Sequence, residues 1–167
     1  WAPFFNDLGI ALIVLKYRVP NGNREVPFSD AEKALKMIRD SARIWNINPN
    51  DVGIMGSSAG GHLASTMATH LSPDLRPNFQ ILFYPVISMD KKYTHMGSHN
   101  NLLGADATSG LEKLYSNEKQ VTPNTPPAFI AFSDDDKVVS PVNGLKYYGA
   151  LHENGVPSVL YIFPSGG

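Results

Sequence analysis

Between Gly53 and Gly61 the chain reads GIMGSSAGG, two serines set among small residues. Gly56 to Gly60 fit G-x-S-x-G centred on Ser58, a spacing that presents a serine oxygen on a turn between a strand and a helix. The flanking residues predict that context: DVGIMG reads as a short strand, and AGGHLASTMATHL as a helix. So sharp a turn is crowded. Gly56 and Gly60 are therefore expected to lack side chains so that Ser58 can hold a strained backbone with its oxygen exposed. At a helix N-terminus, free N–H groups and the helix dipole favour developing negative charge, which makes the Ala59 N–H the expected oxyanion donor. The chemistry is that of a nucleophile attacking a carbonyl. A glycine-rich turn could instead hold a phosphate, but there is no Lys-Ser or Lys-Thr for a P-loop, and G-x-G-x-x-G is not matched. The plainer alternative is a structural turn in which Ser57 and Ser58 only cap the helix.

A serine nucleophile needs a base, and the base needs a carboxylate to orient it. Asp134, Asp135 and Asp136 lie in SDDDKVV, a predicted loop after the apolar strand PPAFIAF, which is where such a carboxylate belongs. A solvated loop or a weak calcium site is the bland reading of the same residues. The five histidines are 62, 70, 95, 99 and 152. His62 is expected to pack or cap, because the helix starting at the serine carries it away from the strand ends. His152 is expected on the surface near the end of a helix. His95 and His99 have the four-residue spacing that would pair two imidazoles for zinc on a helix, but Gly97 and Ser98 between them argue against a helix, so no metal is expected.

The elements that must position these groups alternate. GIALIVLKYRV, DVGIMG, FQILFYPVI, PPAFIAF and SVLYIF are five apolar runs that predict strands. A short helix end (WAPFFNDL) precedes the first. SDAEKALKMIRDSARIWNI is predicted helical, with Ser29 and Glu32 at capping-box spacing and Ala31, Ala34, Leu35, Ile38, Ala42 and Trp45 on one face. Another helix is predicted from Ser140 and Pro141 to a stop at Gly155. Residues 88–110 show no clear period and predict a long irregular excursion. The fold class is therefore α/β, a doubly wound, mostly parallel sheet with helices on both faces. Ligands are expected at the carboxyl ends of its strands.

The chain has 167 residues, a net charge of −1 and no cysteine, which fits a single domain with no disulfide and no thiolate metal site. Nothing in the charge attracts nucleic acid or anionic lipid, and IALIVL is too short to span a bilayer. The oligomeric state is open.

Taken together, DVGIMGSSAGGHLASTMATH, LKYRVPNGNREVPFSDAEKALKMIRD, LFYPVISMD, NLLG and YSNEKQVTPNTPPAFIAFSDDDKVV resemble the acetyl esterase and lipase-like branch of the α/β-hydrolase superfamily, in particular its acetylxylan esterases. The resemblance implies a serine esterase with Ser, Asp and His in that order, acting without a cofactor on short acyl esters, acetyl foremost, of a small or carbohydrate alcohol. It singles out Asp136 as the acid and sets THMGSHNNLLG beside the site, making His95 and His99 candidates for shaping the substrate pocket. Phe132 and Ser133 depart from the family pattern. After the last strand the family has Gly-Gly-His, whereas this sequence closes on FPSGG. A histidine is thus expected directly after Gly167, and a His-Gly-Gly oxyanion stretch before Trp1. Residues 1–167 would then be one incomplete domain, inactive alone. The resemblance slightly favours a secreted or periplasmic location. The rival readings are a noncatalytic binding protein or inactive fragment, and a prolyl-peptidase-like hydrolase.

Overall fold

Parallel strands cannot be joined by a tight turn, so every connection between them must cross a face of the sheet. In the computed structural model, which describes residues 1–166, four parallel strands stand in the order β1 (Gly53–Ser57), β2 (Phe79–Phe83), β3 (Ala128–Ser133), β4 (Ser158–Phe163). The helices are α1 (Ala2–Asp7), α2 (Glu25–Asp40), α3 (Ala42–Trp45), α4 (Ser58–His70), α5 (Met96–Leu103), α6 (Ser109–Tyr115) and α7 (Val142–Glu153). Gly167 lies outside the described residues.

Alternation along the strands decides the layers. Leu82 and Ile130 point to one face, where Ala64 of α4 and Tyr147 and Leu151 of α7 close a core around them. Within that core Tyr147 Oη donates to Gln80 Oε1 at 3.0 Å, so neither polar tip is buried unpaired. A second cluster joins α2 to α4 through Ala31, Leu35, Met67 and Leu71. The opposite face carries the aromatic row Phe83, Phe129 and Tyr161, and Trp1 at the start of α1 stacks on Phe83.

Three expectations need correction. Among the described residues the run at 9–19 pairs with no strand, so the sheet there has four strands and not five. An apolar run signals burial, but a strand exists only where a ladder partner takes its N–H and C=O groups. Val14 is 85% exposed, and the segment is tied down at Arg18, whose backbone N–H and guanidinium donate to Asp30. Secondly, α2 starts at Glu25, so Ser29 is inside the helix and caps nothing. Asn23 Oδ1 takes the Glu25 N–H at 3.1 Å, and Pro27 sits in the first turn, where its missing N–H costs nothing. Finally, β2 stops at Phe83 although the apolar run continues to Ile87. Tyr84 takes a φ of +34° and Pro85 has no N–H to offer, so the chain leaves the ladder there.

The excursion is also more ordered than its sequence predicts. It holds α5 and runs into α6, both docked on a cluster of Val86, Met89, Leu103 and Val139. Asn143 of α7 pins its start: Oδ1 accepts the N–H groups of Ile87 and Ser88, and Nδ2 donates to the carbonyls of Tyr93 and Ser140, all at 3.0 Å. Every hydrogen-bonding position of this fully buried amide is used. Asn143→Ala is expected to cost about 3 kcal/mol or more, since two buried N–H groups lose their acceptor. A shift of the urea midpoint measures it.

Candidate active site at the carboxyl edge of the sheet

β1 ends at Ser57 and α4 begins at Ser58 with no residue between them. Ser58 stands at φ +52°, a left-handed conformation that costs a residue with a Cβ about 1–3 kcal/mol unless its surroundings impose it. They do. The Ser58 carbonyl accepts the Val86 N–H at 3.0 Å, and a Cβ on Gly56 would collide with the Gly60 carbonyl. The expected crowding at Gly60 is absent, because a Cβ there would meet only Tyr17 Oη, 3.7 Å away. It falls on Gly61, where a Cβ would press on Pro85 at 2.7 Å. The bend after β2 thus braces the turn after β1, a role that a reading of the local motif could not reveal. Ser58 is half-buried, Ala59 is exposed, and the first turn of α4 contains no acidic residue to occupy its N–H groups.

β3 runs parallel to β1, so the loop after β3 emerges at the same edge as Ser58. There Asp136 Oδ1 accepts the N–H groups of Val138 at 2.8 Å and Val139 at 3.0 Å, which fixes a half-buried carboxylate. Among the described residues Oδ2 accepts no hydrogen bond. Asp134 and Asp135 are exposed, and the Asp134 N–H donates to the Phe163 carbonyl at 2.8 Å, stitching the ends of β3 and β4 together.

The histidines divide by surroundings. His62 is buried in α4 and its Nε2–H donates to the Tyr115 carbonyl at 2.8 Å. His70 Nε2 meets the Leu114 carbonyl at 3.1 Å, so two imidazoles take up carbonyls that the end of α6 leaves unpaired. Burial holds the His62 imidazole neutral and pulls its pKa down from 6.5 to about 4, against the opposing pull of the Tyr115 carbonyl. It is a packing residue, as expected. Because the unfolded chain binds this proton first, stability is complete above the unfolded value of 6.5 and is lost as pH falls towards about 4. The loss from this group is about 3 kcal/mol. Denaturant midpoints taken across that window should fall with acid, and less steeply in His62→Gln.

His95 and His99 do not converge. His95 caps α5, with Nδ1 accepting the Ser98 N–H at 3.2 Å. His99 is fully buried, its Nδ1 against Asn100 Oδ1 at 2.9 Å and its Nε2 against Glu112 Oε1 at 3.0 Å. Gly97 and Ser98 do not break the helix, because the imidazole cap and the burial of His99 and Leu103 outweigh their low propensity. His152 is exposed on α7 and stacks on Tyr148.

A cavity of ≈ 360 Å³ opens beside the turn. Ala59, Leu63 and Thr66 of α4 form one wall; Tyr17, Arg24 and Phe28 form another. From the excursion it takes Ser98, Asn101 and Leu102, the neighbours of the two histidines proposed from sequence and not the histidines themselves.

A parallel sheet, a serine at positive φ where β1 passes into α4, and a backbone-anchored aspartate after β3 define the class. The family model described as alpha/beta hydrolase fold matches residues 4–166, and the chain belongs to that family. Its relatives include an acetylxylan esterase from Xylanibacter ruminicola, 47% identical over 98% of this chain and 35% of that protein. An endo-1,4-beta-xylanase B from Butyrivibrio fibrisolvens is 38% identical over 84% of this chain and 24% of that protein. The crystal structure of an acetyl ester-xyloside bifunctional hydrolase from Caldicellulosiruptor lactoaceticus superposes with a TM-score of 0.93 at 37% identity, covering 99% of this chain and 65% of that one. The chain thus spans about a third or less of the two curated relatives' length. Among the described residues no helix is long and apolar enough to cross a membrane.

Proposed function

We propose that these residues belong to a serine esterase that removes short acyl groups, acetyl foremost, from a carbohydrate. The observation that carries this reading is the left-handed Ser58 at the β1–α4 turn, on the same sheet edge as the anchored Asp136. Ser58 Oγ attacks the ester carbonyl while a base takes its proton, and the Ala59 N–H donates to the oxyanion that forms. Collapse expels the alcohol, which recovers the proton from the base, and water then hydrolyses the acyl-serine. Asp136 holds the base in the productive tautomer and offsets its positive charge. None of the histidines in the chain has this role. The base is assigned to a histidine in the loop that follows β4, by the chain order Ser, Asp, His of this fold.

The acetyl and carbohydrate preference is supported by the relatives' names, and by a cavity that holds far more than an acetyl group. Acetate release from an acetylated xylo-oligosaccharide and from 4-nitrophenyl acetate, by the protein to which these residues belong, tests it. Release from both, with the sugar ester preferred, is the expected result. Preference for the aryl ester would remove the carbohydrate assignment, and no release from either would leave a binding protein.

A further inference from the structure

Arg24 is the only formally charged side chain on the wall of the cavity among the described residues, and nothing on that wall neutralises it. Its Nε is shut off from solvent without a hydrogen-bond partner. The adjacent Glu25 is turned to Tyr115, whose Oη donates to its Oε1 at 2.9 Å. The surrounding wall is largely apolar, with Val19, Phe28, Leu63, Met89 and Leu102, so the wall itself offers the guanidinium no counter-charge. Ala59, the proposed oxyanion donor, lines the same cavity. Cavities of roughly 300 Å³ and above enclose whole small ligands, so this one takes more of the substrate than its acyl group.

We infer that Arg24 binds a carboxylate carried by the sugar part of the ester, and that the preferred substrate is an acylated sugar bearing a uronic acid. This deepens the esterase reading and rests on it, since the place of Ala59 in the wall is what brings the ester carbonyl to the cavity. A neutral sugar could accept one hydrogen bond from the guanidinium but would leave its charge uncompensated. A carboxylate accepts two parallel N–H bonds, one from each Nη, in the plane of the fork. Asn21, Ser98 and Asn101 supply neutral donors and acceptors on the same wall for ring hydroxyls.

Titration of the protein with methyl β-glucuronoside, methyl β-glucoside and sodium acetate, read by calorimetry, decides the point. The uronoside is expected to bind at least about 10-fold more tightly than the glucoside. The preference should vanish in Arg24→Gln and survive in part in Arg24→Lys, which keeps the charge and loses the fork. Should Arg24→Gln fail to fold by near-UV circular dichroism, the wild-type ratio and Arg24→Lys still decide. Equal binding of the two glycosides, absence of binding by both included, would overturn the assignment. So would acetate binding as tightly as the uronoside, because the site would then read a carboxylate without its sugar. Labelling of Ser58 by an organophosphonate ester, in the protein to which these residues belong, is scored separately. Preference for the uronoside without labelling removes the esterase reading and leaves a carboxylate site, whereas labelling without preference does the reverse.

Discussion

Ser58→Ala is expected to abolish covalent labelling by an organophosphonate ester and to lower kcat for ester hydrolysis by up to about 10⁶-fold. The two readouts are informative together. An organophosphonate mimics the tetrahedral adduct, so it reports whether Ser58 Oγ is nucleophilic, and peptide mass spectrometry locates the adduct. Rate loss without loss of label would mean that another residue is attacked. Stability should barely suffer in the variant, because alanine also has a Cβ and meets the same left-handed backbone at φ +52°. Ser58→Gly should retain the fold and gain stability, since glycine takes that conformation without strain. A serine whose replacement stabilises the protein is held in place by its surroundings at a cost, here by Val86, by Pro85 against Gly61, and by the Gly60 carbonyl against Gly56.

Asp136→Asn carries the second largest effect, a fall in kcat of about 10⁴-fold with the loop intact. Asparagine keeps an oxygen to accept the Val138 and Val139 N–H groups, so the denaturant midpoint should stay near that of the wild type. It loses the charge that, in the proposed mechanism, holds the base in the right tautomer. Asp136→Ala should show the same loss of rate and, in addition, a stability loss of about 1–3 kcal/mol from the two abandoned N–H donors. Equal stability of the two variants with full activity would reduce Asp136 to a loop residue. Activity lost in the alanine variant and kept in the asparagine variant would make its role structural.

The elbow was legible because its chemistry is local. Gly56, Ser58 and the strand and helix beside them are fixed by contacts within a few residues, so spacing alone predicts the turn. The parallel sheet was legible for a similar reason: β1 to β4 are apolar runs separated by helix-length segments, and such segments can only cross over. Wherever the outcome depended on partners distant in sequence, prediction failed. The run at 9–19 has the composition of a strand and no ladder. The helix α5 has poor propensity and forms because His95 caps it and because Leu103 and His99 are buried beneath it. Gly60 has the motif's place, but the crowding belongs to Gly61, because Pro85 arrives from the bend after β2.

By itself, then, the sequence determined the class of fold, the strand-to-helix turn that carries Ser58 and the sheet edge at which Asp136 emerges, since each follows from short-range periodicity and turn chemistry. Only the tertiary structure decided which residues line the cavity and which titratable groups are spoken for. His62 and His99 are buried and hydrogen-bonded and His95 caps α5, while Arg24, unremarked in a turn of PNGNREVP, stands as the only formally charged side chain on the cavity wall among the described residues. Burial and the pairing of polar groups are properties of what surrounds a side chain, and those surroundings come from segments that neighbouring residues do not specify.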